Sequence, residues 1–192
     1  MTRLLTPAPI VAILYHEGRH VDHAMRRIAT RLSGQGLSLV GFIQRHAWRP
    51  DRPRCDVILD DLSGGHPILI SEDRGVGARG CRLNVGELIK AIASARAAIA
   101  GSPDLLVVNK FGKIESTGGG FRDLVAAAIE QGVPVLVAVP WRNMDSWRQF
   151  AGDFAIEHNL EELPADGVGL CRCLGLHRRR APSDAANPCL NL

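Results

Sequence analysis

The chain has 192 residues, which is long enough to bury the core of a single domain. Its formal net charge of +3 does not supply the concentrated basic face that nucleic acid binding requires. No apolar stretch approaches the roughly 20 residues that cross a bilayer, and the first apolar run is more typical of a strand than of a signal peptide. We therefore expect a cytoplasmic protein that contacts neither nucleic acid nor membrane. Its five scattered cysteines, an odd number, are expected to stay reduced.

Buried strands and amphipathic helices alternate along most of the chain. In order, the predicted elements are a strand over residues 9–15, a helix over 21–32, strands over 37–43, 55–59 and 67–70, a helix over 85–99, a strand over 105–108, a helix over 121–131, a strand over 135–139 and a short helix over 145–154. This alternation predicts an α/β domain of three layers, in which helices cover both faces of a mostly parallel sheet. The strand-rich portion, residues 37–71, is expected to pair antiparallel. We place the domain in residues 1–165 and an irregular tail in residues 166–192.

The strand over residues 105–108 ends in a dense group of polar residues. Asn109, Lys110, Gly112, Lys113 and Glu115 follow it along the chain. In open α/β sheets, ligands bind where the carboxyl ends of the strands meet. These five residues are therefore candidates for ligand binding. For Lys113 and Glu115 the alternative is a surface ion pair, which contributes little to stability.

The turn after the first strand stands where a phosphate-binding loop would lie. Such a loop needs glycines, a lysine that reaches the phosphates, and a Ser or Thr that holds magnesium. Residues 15–22 lack the Gly-Lys-Ser/Thr ending. They form either an altered anion or nucleotide pocket, with Gly18, Arg19, His20 and Asp22 as candidate ligand-binding residues, or an ordinary tight turn.

A second anion site is suggested by the turn over residues 116–120. Ser116, Thr117 and three glycines precede a helix, so that free backbone N–H groups and the positive end of the helix dipole would meet there. Lys113 and Arg122 would add positive charge. Ser116, Gly119 and Arg122 are therefore candidates for holding a tetrahedral oxyanion. The alternative is a flexible loop with two solvated cations beside it.

The thiols form two further groups of candidates. Cys171 and Cys173, with His177 close by, are of the kind that binds zinc, although a structural zinc site needs four ligands. Whether they bind a metal is left open. Cys81 follows a loop of glycines and arginines that includes Arg79, and nearby cations favour a reactive thiolate. Arg79 and Cys81 are candidates for the ligand site, with a small buried thiol as the alternative for Cys81.

Four stretches of the chain together resemble the bacterial DUF2478 family. The most specific of them reads Asn-Lys-Phe-Gly-Lys-Ile-Glu, and the four stretches are residues 39–44, 74–83, 104–115 and 118–122. The resemblance extends over residues 9–155. Members of this family resemble proteins that are encoded near molybdate uptake systems, which implies a link to molybdenum.

More distantly, the order of these motifs resembles that of P-loop nucleoside triphosphatases related to THEP-type enzymes. That resemblance implies a P-loop-NTPase-like sheet. By position, Val21 falls on the lysine of that family and Asp22 on its Ser/Thr, while Asn109 and Lys110 fall on the acidic pair of its Walker B segment. Asparagine is neutral and lysine repels cations, so neither is a good magnesium ligand.

The sequence therefore indicates a binding or regulatory protein that has lost the catalytic lysine and acidic pair. Its expected ligand is a small anion, either a nucleotide or an oxyanion such as molybdate. The rival is an active nucleoside triphosphatase or nucleotide-dependent transferase, with Glu17, Asp22 or Glu115 recruited for the metal. A structural subunit with an empty pocket is a third alternative. A protein partner or a homo-oligomer is compatible with all three.

Overall fold

The computed structural model describes residues 9–16, 20–50, 54–75, 82–163 and 168–176, and within them the strands form one seven-stranded sheet. In chain order the strands are β1 (Ile10–Tyr15), β2 (Leu39–Ala47), β3 (Asp56–Asp61), β4 (Ile68–Leu69), β5 (Leu105–Asn109), β6 (Val135–Pro140) and β7 (Ala155–Asn159). The α-helices are α1 (His20–Gly34), α2 (Val85–Ile99), α3 (Lys113–Ser116), α4 (Arg122–Glu130), α5 (Met144–Ala151) and α6 (Val168–Cys173). All ten elements predicted from the sequence are present, with small shifts at their ends.

The strand order is β4-β3-β2-β5-β6-β1-β7. From β2 to β7 neighbouring strands are parallel, whereas β3 pairs antiparallel with both β2 and β4. The mostly parallel sheet with an antiparallel portion that the sequence predicts is thus confirmed, and β1, β5 and β6 are parallel to one another. Because these strands run in the same direction, their carboxyl ends lie along one edge of the sheet.

The central strands are buried on both faces, which explains their continuous apolar sequences. Alternate residues of β1 contribute to two separate cores. Val11 packs in the core that includes Met25 of α1, whereas Ala12 packs in the core that includes Leu124 of α4. Helices α1 and α6 cover the first face, and α2, α4 and α5 cover the second. The three-layer α/β architecture is therefore confirmed.

Some elements go beyond the sequence prediction. β2 continues to Ala47 because its polar end pairs with β3, where Arg45 lies opposite Ile58 and His46 opposite Val57. The short helix α3 and the edge strand β7 were not predicted. The tail was expected to be irregular, yet residues 168–173 form α6. Its Leu170 is buried in the core that includes Met25 of α1. No helix in the described ranges is long and apolar enough to cross a membrane.

Candidate functional site

The carboxyl edge of the sheet brings together two side chains from distant parts of the chain. Asn109 is the last residue of β5, and Asp22 lies in the first turn of α1, the helix that follows β1. The Nδ2 of Asn109 donates a hydrogen bond of 2.9 Å to Oδ1 of Asp22. Asn109 is only 1% exposed, and its Oδ1 is buried without a hydrogen-bond partner among the described residues. We call Asp22 and Asn109 the edge pair.

The other carboxylate oxygen of Asp22 faces a histidine. Nε2 of His46, near the end of β2, lies 3.8 Å from Oδ2 of Asp22 and 3.0 Å from Nε2 of Gln44. A neutral ring accepts a hydrogen bond from the Gln44 amide through this nitrogen, whereas a protonated ring attracts the carboxylate. His46 therefore contributes positive charge beside the edge pair only in its protonated form.

A cleft of about 160 Å³ lies between the first turns of α1 and the end of β2. We call it the edge cleft, and its lining residues are Asp22, His23, Arg26, Gln44, Arg45 and His46. Two of them, Arg26 and Arg45, both bind the carboxylate of Asp60, with Arg45 Nε 2.9 Å from Oδ1. A guanidinium carries five N–H donors, so both arginines keep donors beyond those that Asp60 accepts. The edge cleft is therefore rich in hydrogen-bond donors.

Asp60 holds the two arginines as an ionised carboxylate. Its partial burial raises the pKa, but the hydrogen bonds and charges of Arg45 and Arg26 outweigh that effect. The net result is a pKa below the ordinary value of 3.8. Both arginines, which line the edge cleft, thus stay paired with an ionised carboxylate at neutral pH.

The loop after β5 is organised by Glu115 rather than opened toward a ligand. This side chain is 4% exposed, and its two oxygens accept backbone N–H groups from Gly112 at 2.8 Å and Phe121 at 3.1 Å. Gly120 has a φ of +63°, and a Cβ added to it would collide with Oε1 of Glu115. Glu115 therefore acts as a buried clamp on this loop, with both oxygens already engaged.

The turn over residues 116–120 does not provide the cage of free donors that the sequence suggests. The backbone N–H groups of Ser116, Thr117, Gly118 and Gly119 all donate to carbonyl groups within the same loop. The hydroxyls of Ser116 and Thr117 also donate to the carbonyl of Lys113, at 2.8 and 3.2 Å. Most of the donors expected to face an oxyanion are thus engaged inside the loop, and binding of an oxyanion at this turn stays a prediction.

Arg122 is likewise engaged within the protein. Its guanidinium lies 4.5 Å from the centre of the Phe150 ring, and its Nη1 approaches the carbonyl of Glu115 at 3.4 Å. A cation placed over an aromatic face is attracted by the ring. Lys113, by contrast, is exposed at the start of α3. Of the two cations predicted near this turn, Lys113 is therefore the more accessible.

The remaining sequence candidates fall into two groups. His20 is exposed as the first residue of α1, and Lys110 and Gly112 follow the edge pair along the chain. Several candidates lie outside the described residues, namely Gly18, Arg19, Arg79, Cys81 and His177. Their contribution to the site therefore stays a prediction.

Cys171 and Cys173 lie on α6. Both side chains are partly buried and pack against the core that includes Met25 of α1. Residues two positions apart on a helix point roughly 200° apart around its axis. Across the part of the chain that the structure describes, no group of three or more His, Cys, Asp or Glu side chains is arranged to hold a metal ion. The two thiols thus have the surroundings of small core side chains.

Sequence reasoning missed the β2 half of this site. Gln44, Arg45 and His46 directly follow the apolar part of β2, just as Asn109 follows the apolar part of β5. The rule that ligands bind at the carboxyl ends of parallel strands applies to both strands. The signal was therefore present, but it required knowing that β2 and β5 are parallel neighbours.

The architecture and the edge site together are those of a P-loop-like α/β protein, in which the first turn of α1, the helix that follows β1, faces the polar end of the parallel strand β5. The chain belongs to the family described as "Protein of unknown function (DUF2478)", whose profile matches residues 10–165. The resemblance seen in the sequence is thus confirmed.

A curated relative gives this family a second point of comparison. The chain is 37% identical over 150 residues to a protein of Bradyrhizobium diazoefficiens named "Molybdenum import ATP-binding protein ModC 2". The match covers 77% of the chain but only 16% of that relative's length. No solved structure matches the chain.

Proposed function

We propose that this protein binds a small anionic ligand at the carboxyl edge of its sheet without hydrolysing it. The ligand is a nucleotide or an oxyanion such as molybdate. The observation that carries the proposal is the hydrogen bond between Asn109 and Asp22. By the distant resemblance to P-loop enzymes, these positions correspond to the Walker B acid and to the magnesium-binding Ser/Thr.

The edge pair does not suit magnesium. This ion prefers carboxylate and water oxygens in near-octahedral geometry, whereas here an amide N–H occupies one oxygen of Asp22. Lys110, the next residue after Asn109, adds a cation beside the position. Val21, at the position of the catalytic lysine, is 2% exposed and packs in the α1 core. The residues for metal-assisted phosphoryl transfer are therefore replaced by residues that close or neutralise the site.

Anion binding is supported by the donors of the edge cleft. Arg26 and Arg45 are positioned by Asp60, and the rings of His23 and His46 also line the cleft. A cleft of about 160 Å³ is smaller than the roughly 300–1,000 Å³ of pockets that enclose a whole drug-sized ligand. It therefore suits a single oxyanion or one phosphate group of a larger ligand.

The relative named as a molybdenum import ATP-binding protein favours a role beside molybdenum uptake. In that role, a cytoplasmic binding protein would sense or hold molybdate or the nucleotide that accompanies its import. The same name favours a second candidate function, an active nucleoside triphosphatase or a nucleotide-dependent transferase. That function would require Asp22 to leave Asn109 and bind a metal.

A panel of ligands tests the proposal by the shift in melting temperature that each one causes. The ligands are ATP, GTP, molybdate, tungstate, sulfate and phosphate, each with and without Mg²⁺. A ligand that binds only the folded state raises the melting temperature, by a margin that grows with its concentration over its Kd. We expect at least one anion to stabilise the protein, and Arg45→Ala to reduce that shift.

The control for Arg45→Ala is Arg96→Ala, which removes an exposed arginine from α2 on the opposite face of the sheet. It should leave the ligand-induced shift unchanged. If no anion in the panel shifts the melting temperature of the unmodified protein, the proposal is wrong.

A further inference from the structure

Two aromatic side chains project from the edge of the sheet where β1 and β6 end. These neighbouring strands finish in register, with Tyr15 opposite Pro140. The next residue of each strand is aromatic, and the rings of His16 and Trp141 stack with centroids 5.2 Å apart and planes inclined by 9°. The result is a flat aromatic surface formed by two parallel strands.

This surface is exposed although its backbone is firmly anchored. His16 is exposed, and Trp141 is 37% exposed. Trp141 begins a turn that is tied to the β5 loop, because Nδ2 of the buried Asn143 donates to the carbonyl of Phe111 at 2.9 Å. The Phe111 ring in turn packs edge-on against the fully buried Trp147. The turn that carries Trp141 is thus tied to the buried aromatic core beneath it.

The aromatic pair lies beside the proposed anion site. β6 is the neighbour of both β1 and β5, so Trp141 is one strand away from Asn109. β2, which carries the edge cleft, is two strands from β6, or roughly 10 Å at the usual strand spacing. An extended nucleotide can bridge such a distance between its phosphates and its base, whereas a single oxyanion cannot.

We propose that His16 and Trp141 form a stacking platform for the base of a nucleotide whose phosphates occupy the edge cleft. This inference rests on the proposed function and selects a nucleotide over an inorganic oxyanion as its ligand. Aromatic side chains stack on the face of any nucleobase, so the platform gives affinity with little preference among bases. The pair is already stacked, so a base would add to an outer face of this surface.

The test compares ATP with inorganic tripolyphosphate, which carries the phosphates without the base, by calorimetric titration of the full chain. We expect the unmodified protein to bind ATP more tightly than tripolyphosphate. Trp141→Ala should weaken ATP binding by roughly tenfold, the usual size of one base–aromatic stack. It should leave tripolyphosphate binding unchanged, and Trp141→Phe should keep most of the ATP affinity.

The matched control is Trp48→Ala, because Trp48 is 72% exposed but lies beyond the end of β2, outside the platform. It should change neither affinity. His16→Ala provides a second test of the platform, with a smaller expected loss for ATP, and it replaces Trp141→Ala if that variant fails to fold.

The outcomes of this titration distinguish failure of the stacking platform from failure of the proposed anion site. Equal ATP affinities in Trp141→Ala and the unmodified protein would refute the platform, as would equal losses for ATP and tripolyphosphate. Binding of tripolyphosphate or molybdate with no benefit from the base would refute the platform and leave the anion site standing. If the unmodified protein binds neither ATP nor tripolyphosphate, the platform is wrong, and the panel of ligands then decides separately whether the anion site is wrong as well.

Discussion

Asn109 and Asp22 are 87 residues apart in the chain, yet their side chains share a hydrogen bond of 2.9 Å at the carboxyl edge of the sheet. A neutral amide donating to a carboxylate is stable without a cation between them. Two carboxylates at this separation would repel each other unless a proton or a metal ion joined them. The contact between Asn109 and Asp22 therefore supports the proposal that this site does not use magnesium.

Replacing Asn109 by aspartate should make the protein respond to magnesium. Asn109→Asp loses a donor and places a second carboxylate against Asp22, which should cost roughly 1–3 kcal/mol of stability in EDTA. Mg²⁺ should recover part of this loss by binding between the two carboxylates. Thermal unfolding in EDTA and in Mg²⁺ measures both effects.

The control for this variant is Asn84→Asp. Asn84 caps the N-terminus of α2 by accepting from the N–H of Glu87, and aspartate caps helices as well as asparagine does. This variant should stay close to the unmodified protein under both conditions. If Asn109→Asp is as stable as the unmodified protein in EDTA and its stability does not change in Mg²⁺, the interpretation of the edge pair is wrong.

The clamp formed by Glu115 predicts a difference between two nearby glycines. Gly118 and Gly120 have φ values of +99° and +63°, so that alanine at either position is strained by roughly 1–2 kcal/mol. A Cβ at Gly118 meets nothing within 4 Å, whereas a Cβ at Gly120 displaces the carboxylate of Glu115. Gly120→Ala should therefore cost about 1–3 kcal/mol more than Gly118→Ala, the penalty for unpaired buried N–H groups. Urea denaturation of both variants measures this difference, and equal losses would show that Glu115 does not clamp the loop.

The ion pairs of Asp60 predict a stability contribution that depends on pH. The pKa of this carboxyl lies below 3.8 in the folded protein and near that value in the unfolded chain. The contribution is therefore complete above about pH 3.8 and is lost as the pH falls through the folded pKa. Asp60→Asn should lower the stability at pH 7 by roughly 1 kcal/mol, because both arginines are partly exposed. The gap between variant and unmodified protein should narrow below pH 3.8, and a gap that widens there would contradict the assignment.

The sequence was sufficient to predict the strands that carry their own apolar signal, such as the run from Leu105 to Val108. It was insufficient where pairing determines the structure. The polar end of β2 and the edge strand β7 have no continuous apolar run, and they are strands because β3 and β1 hold them in place. The periodicity of apolar residues indicates which positions are buried. An edge strand, by contrast, is formed largely by backbone hydrogen bonds to its neighbour.

The candidate site was predictable in position but not in the roles of its residues. Asn109 and Asp22 were both expected near a ligand, but their contact depends on a strand order that the sequence does not state. Glu115 was expected in a pocket, with a surface ion pair as the alternative, and the structure instead turns it into the loop. The direction of a carboxylate is set by which donors the folded chain leaves unpaired, and those donors are known only from the structure.

The most direct test of the account is a calorimetric titration of ATP into the protein, once in Mg²⁺ and once in EDTA. The same trace reports binding, as heat that saturates, and turnover, as heat that continues after each injection. We predict saturating heat of similar affinity in both buffers and no continuing signal. Binding that requires Mg²⁺, with steady turnover of about 1 s⁻¹ that Asp22→Ala abolishes, would contradict a non-hydrolytic site.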